Sequence, residues 1–173
     1  MHRLSIGGAL IRSVLAAALL AASATTMGLR AETSTIIPLP RFVSLKASPA
    51  NLRVGPGVGY SVEWVFMRPG IPLEIYQQSG NWRRVRDWTG TNGWINMSLL
   101  SVRRTAVIAP WSKGDVALRN KPTFDGPVIC WFEPVVGVKL KRCDGKWCKV
   151  ALKSMSGFVK QTDLWGAYPG EVL

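Results

Sequence analysis

The chain has 173 residues, 47% of them hydrophobic, and 22 Lys+Arg against 10 Asp+Glu give a formal net charge of +12. That length fits one ordinary domain or two small ones, and so much apolar content excludes wholesale disorder. The single histidine is His2, so the chain beyond it lacks Ser-His and Cys-His nucleophile activation, His metal sites and imidazole general-base chemistry.

Residues 1–31 read as a secretory signal. Arg3 and Arg12 supply the positive start, Val14 to Ala22 the apolar run, and small residues follow. The run is shorter than the roughly 20 apolar residues that span a bilayer, so no transmembrane anchor is expected after cleavage. Ala22-Ser23-Ala24 and Leu29-Arg30-Ala31 both fit a cleavage site, placing the cut after Ala24 or after Ala31. A cut after Ala31 removes three arginines, and the remaining 19 cations against 10 acids leave +9. The product is a basic protein, periplasmic or secreted, that polyanions should attract at low salt.

Residues 32–40 contain two prolines and no period, which suits an extended lead-in. A first domain is expected over 41–101, with strands at 42–46, 61–66, 73–78, 82–86 and 93–95. Leu73-Glu74-Ile75-Tyr76 alternates apolar and polar as a half-buried strand does. Gln78 to Asn81 and Asp87 to Asn92 carry turn chemistry, and 96–100 is expected to form one helical turn. A second domain is expected over 104–166, with strands at 106–109, 128–132, 137–142, 147–152 and 157–160. Residues 167–173 form a tail. The link between the domains is too short to let them separate freely.

The two domains look like copies. Leu118 follows Leu52 by 66 positions, Trp147 follows Trp82 by 65, and Gly157 follows Gly93 by 64, the near-constant period of a duplication. With 17 Gly and 11 Pro scattered among short apolar runs, the fold expected is all-β, two tandem small barrels. Small barrels bury little surface, so most of the eight Trp are assigned to packing. The structural core is placed at Leu52, Trp82, Trp94, Leu118, Trp147 and Phe158.

Cys143 and Cys148 flank the loop of a predicted hairpin, within disulfide reach in an oxidising compartment. A disulfide is expected there, with Cys130 a small buried apolar residue. The acidic residues are spread singly and mostly at turns, and Gly55-Pro56-Gly57 lacks the lysine of a phosphate loop. No catalytic residue, metal site or cofactor is assigned, and a non-enzyme is expected.

Asn51-Leu52-Arg53-x-Gly55-Pro56, then Gly80-Asn81-Trp82, then Gly93-Trp94-Ile95 resembles the bacterial SH3-like domain. The whole of 41–170 is similar to exported proteins with two such domains, Cys143-Asp144-Gly145-Lys146-Trp147-Cys148 included. The second copy is degenerate: Asn120-Lys121-Pro122 replaces the Gly-Pro turn, and Phe158 stands where the family prefers Trp. The resemblance implies small bent antiparallel barrels and a binding module, often for peptidoglycan or its peptide stems. The residues expected to carry binding are Tyr60, Trp88, Arg83, Arg84 and Arg86, an aromatic pair flanked by cations. Two other functions stand beside this one. One is a protein–protein scaffold made of two packed barrels. The other is an electrostatic binder of envelope polyanions, with Lys139, Lys141, Arg142, Lys146, Lys149, Lys153 and Lys160 on one basic face. The partner is therefore a cell-wall polymer or an envelope protein, without specific nucleic-acid binding.

Overall fold

The computed structural model describes residues 38–173; the expected signal and most of the lead-in lie outside the described residues. The first barrel contains β1 (Arg41–Leu45), β2 (Ala50–Arg53), β3 (Val62–Phe66), β4 (Pro72–Ser79), β5 (Trp82–Arg86), β6 (Asn92–Asn96), a 3-10 turn (Met97–Leu99) and β7 (Leu100–Ser101). The second contains β8 (Thr105–Ile108), β9 (Val116–Arg119), β10 (Val128–Phe132), β11 (Gly137–Cys143), β12 (Trp147–Leu152), β13 (Met155–Lys160), a 3-10 turn (Gln161–Asp163) and β14 (Leu164–Trp165). Each forms one seven-stranded sheet. The strand orders are β3-β2-β6-β5-β4-β1-β7 and β10-β9-β13-β12-β11-β8-β14, the same order with every number raised by seven. The all-β tandem architecture read from the sequence is therefore present, and the topology repeats with it.

Alternation builds both cores. Inward residues such as Leu45, Leu52, Ile75, Val85 and Ile95 fill the first barrel, and Ile108, Leu118, Val150 and Val159 the second. At equivalent points the chain needs glycine. A Cβ on Gly93 would stand 2.8 Å from the Arg53 carbonyl oxygen, and one on Gly157 2.6 Å from that of Arg119. Only a residue without a side chain lets those strands cross so closely. This is the physical content of the repeated Gly-aromatic pair. In the hairpin loops a carboxylate gathers backbone N–H groups: Asp87 accepts from Thr89 (2.9 Å) and Thr91 (3.1 Å), and Asp144 from Lys146 (2.9 Å) and Trp147 (2.7 Å). Those bonds hold the Asp144 carboxyl below its ordinary range. Cys143 and Cys148 face each other across that hairpin and are disulfide-bonded, while Cys130 is a half-buried free thiol against the second core.

The placement of three expected core residues differs. Trp82, Trp147 and Phe158 are half-buried and belong to neither core cluster; Leu52, Trp94 and Leu118 are buried. Trp82 and Trp147 open β5 and β12 at the hairpin mouth, where the barrel wall has no further layer to cover a large ring.

The chain end is ordered and joins the barrels. Phe42 on β1 packs edge-on to Trp165 (centroids 5.3 Å) and against Tyr168 (4.7 Å), with the Arg104 guanidinium 5.8 Å from its ring centre. The Tyr168 hydroxyl donates to buried Glu74 on β4 (2.7 Å), which also pairs with Arg86. Arg104 makes a forked pair with Glu171 (2.8 and 2.9 Å) and donates to the Gly166 carbonyl (2.7 Å). Buried Gln161 donates to the Tyr168 and Glu171 carbonyls (2.6 and 2.9 Å). Leu173 N–H closes the tail onto Cys143 O (3.0 Å).

Two outcomes are expected from this packing. Under denaturing, non-reducing conditions a thiol reagent should titrate one cysteine, rising to three after reduction; three before reduction would contradict the bridge. Burial pushes the Glu171 carboxyl up, but the Arg104 hydrogen bonds and the Tyr168 N–H outweigh it and hold it below its ordinary 4.5. A carboxyl lowered on folding contributes stability above its unfolded value, and that contribution disappears as pH falls through the folded value. Glu171→Gln should therefore lower the melting temperature at neutral pH and flatten its decline below pH 4.5. A pH profile parallel to the wild type would contradict the pair's role.

Candidate functional site

The second barrel carries an open groove of about 530 Å³ lined by Trp111, Trp131, Trp147 and Phe124, with Arg119, Lys160, Asp115 and Asp163 among its polar groups. Trp131 on β10 stands opposite Ala117 on β9, so both point to one face, and the small partner leaves a hollow beside the indole. The β8–β9 loop turns sharply: Ala109 N–H bonds to Asp163 O (2.7 Å) and Ser112 N–H to Ala109 O (2.9 Å). That turn presents Trp111. Arg119 donates to Gly126 O (2.7 Å), pinning the loop that carries Phe124. Phe124 meets Trp147 edge-on at 5.4 Å, and the Lys160 ammonium lies 4.5 Å from the Phe124 ring centre. Burial raises the Asp163 carboxyl above its ordinary value, with Lys160 pulling the other way.

Trp111, Trp131 and Phe124 are 60%, 61% and 64% exposed. Large rings left in water at one spot, between fixed charges of both signs, form a surface for a polar ligand with apolar faces. Sugar rings and short charged peptides have that character. Among the described residues no three His, Cys, Asp or Glu converge as metal ligands.

The residues expected to bind in the first barrel lie apart from one another. Trp88 lines a smaller groove of about 390 Å³ with Trp64, Met67 and Arg68; Tyr60, Arg83, Arg84 and Arg86 do not line it. Half-exposed Tyr60 packs its ring against Gly55, and its carbonyl accepts from Arg53 (2.6 Å). Arg83 is bonded to the Gly80 and Trp82 carbonyls (2.8 and 2.9 Å). Arg84 and Arg86 flank the Tyr76 ring at 5.6 and 5.8 Å, and Arg86 is paired with Glu74.

The cations of the second barrel do not form one basic face. β11 bulges between Leu140 and Arg142, leaving Lys141 and Arg142 both exposed in succession and breaking the alternation. Lys139 and Lys141 reach a cleft against the first barrel. Arg142 and Lys149 lie 6.0 and 5.9 Å from the Phe158 ring centre instead, and Lys160 joins the aromatic groove.

Sequence reasoning missed Trp111, Phe124 and Trp131 because it assigned most aromatics to packing. Trp111 after a proline and Phe124 inside a Thr-Phe-Asp-Gly turn stand where no core is available, and that was the signal.

A family model described as bacterial SH3 domain matches the chain twice, over residues 46–101 and 112–166. No curated protein matches it. Among solved structures it is similar to NlpC1 from Trichomonas vaginalis, with 14% identity and a TM-score of 0.32 over 76% of this chain and 47% of that one. NlpC2 from Trichomonas vaginalis is similar at 13% identity and a TM-score of 0.31, over 73% and 48%. The chain thus spans about half the length of either.

Half-burial sets the expected cost of losing the groove's inner ring. Leu118→Ala should destabilise the protein by about 2–5 kcal/mol, as a cavity in a packed core does, and Trp147→Ala by roughly half of the 3–5 kcal/mol typical of a buried aromatic. Chemical denaturation reads both; a Trp147→Ala cost above that of Leu118→Ala would place the indole in the core after all.

Proposed function

The chain belongs to the bacterial SH3 domain family, and from that premise we propose that it is a non-catalytic cell-envelope module that recognises peptidoglycan through the aromatic groove of its second barrel. The observation that carries this reading is the cluster of Trp111, Trp131, Phe124 and Trp147 in one open groove with Lys160, Arg119, Asp115 and Asp163. Indole faces stack on the apolar faces of sugar rings. The cations meet the carboxylates of peptide stems, and Asp115 meets their amines. Asp163, its carboxyl raised by burial with Lys160 opposing, adds a further hydrogen-bond acceptor to the groove. Trp88 with Trp64 supplies a lesser aromatic surface on the first barrel. The Cys143–Cys148 bridge suits an oxidising compartment outside the cytoplasm, and among the described residues no helix is long and apolar enough to cross a membrane.

One observation favours a second reading, a protein–protein scaffold. The Phe42–Trp165–Tyr168 seam ties the barrels together, and a rigid pair presents a fixed surface to a protein partner.

Co-sedimentation with purified peptidoglycan sacculi separates the two readings. The wild type should pellet at low and physiological salt, and Trp111→Ala with Trp131→Ala should weaken binding about tenfold, the combined effect of two lost aromatic contacts. Trp88→Ala should change it little. Absence of binding at either salt would overturn the peptidoglycan reading in favour of the scaffold, and loss on Trp88→Ala alone would move the site to the first barrel.

A further inference from the structure

Between the barrels lies a second hollow, about 720 Å³ in volume, whose charged lining is Lys46, Arg103, Arg104, Lys139 and Lys141. No carboxylate lines it. Arg104 is paired with Glu171, while Lys46, Arg103, Lys139 and Lys141 have no acidic partner among the described residues. We propose that this cleft is an anion site for a ligand carrying at least two phosphate groups, separate from the aromatic groove.

Both barrels build it. Lys46 follows β1, Arg103 and Arg104 lie on the connection, and Lys139 and Lys141 come from β11. The β11 bulge gives Lys141 its own direction, and Lys139 stands opposite Thr105 on β8, so the two share a face. Ammonium and guanidinium groups only donate hydrogen bonds, so a cluster of acceptor oxygens answers the four cations together.

The charge count selects phosphate. Four cations without partners match two phosphate groups at about −1.5 to −2 each, whereas single carboxylates would leave most of the charge unanswered. Lysines and arginines grouped around a hollow are also a common phosphate-binding set. A cleft of this volume accommodates a ligand of headgroup size. The phosphates come either from a soluble polyphosphorylated compound or from an anionic lipid headgroup at a membrane surface.

Two measurements test the site on the purified protein. Inorganic tripolyphosphate is titrated by calorimetry into the wild type, into Lys139→Gln/Lys141→Gln, and into Lys113→Gln/Lys121→Gln, which removes the same charge from exposed positions outside the cleft. The cleft variant should bind at least tenfold more weakly and the control within twofold of wild type. Equal weakening of both variants would reduce the effect to net charge and overturn the site, as would failure of the wild type to bind. Melting temperatures check that both variants fold, and Arg103→Gln, an exposed side chain on the connection, provides an independent loss. Flotation with vesicles of phosphatidylcholine containing cardiolipin, whose headgroup carries two phosphates, then separates the sources. Cleft-dependent flotation assigns a lipid headgroup, and tripolyphosphate binding without flotation assigns a soluble ligand. Sacculus binding by the cleft variant should stay unchanged, since it depends on the other groove.

Discussion

A carboxylate whose side chain is only 4% exposed must be met by donors or lose its charge, and Glu74 is met from both barrels. Arg86 on neighbouring β5 pairs with it, and the Tyr168 hydroxyl reaches it from the chain end at 2.7 Å. Burial and that carboxylate push the Tyr168 phenol well above its ordinary value, so it stays a donor throughout the physiological range. Around this contact Phe42, Trp165 and Arg104 close the seam. The rest depends on it: β14 and the tail are held in place, the two sheets form one unit, and the basic cleft between them keeps its walls. A seam closed by a buried polar network also demands a single docking geometry, because slippage would leave Glu74 without its donors.

Much of the fold was legible. The repeat of Leu-Arg, Gly-x-Trp and Gly-aromatic at a near-constant offset marks two copies of one sheet order, and turn chemistry at Asp87 and Asp144 marks two hairpins. The strands that escaped notice, β2, β7, β9 and β14, are two to four residues long, too short to show a period. Leu73-Glu74-Ile75 is instructive. The alternation reads correctly as a strand with Glu74 on its outer face, yet all three residues are buried, because the second barrel covers that face. No local pattern reports a neighbour supplied by residue 168.

The candidate site was less legible for a related reason. Tryptophan in a small barrel reads as core, and Trp94 is buried, but Trp111 and Trp131 stand in water, and Trp147 is shared between barrel wall and groove. The duplication has also separated the copies. Arg83 and Arg84 in the first barrel are occupied with carbonyls, Tyr76 and Gln77, whereas the second barrel gathers its exposed rings around a hollow. The copy with the weaker family signature holds the larger aromatic surface. Relaxed sequence demands at its Gly-Pro turn are compatible with a loop that projects Phe124.

The most direct test of that assignment is a titration of isotope-labelled protein with soluble peptidoglycan fragments, followed through the eight tryptophan indole N–H signals in nuclear magnetic resonance spectra. A ligand seated in the aromatic groove should shift the Trp111, Trp131 and Trp147 signals while leaving Trp94 and Trp165 in place. Shifts confined to Trp64 and Trp88, or no shifts at saturating fragment, would contradict it.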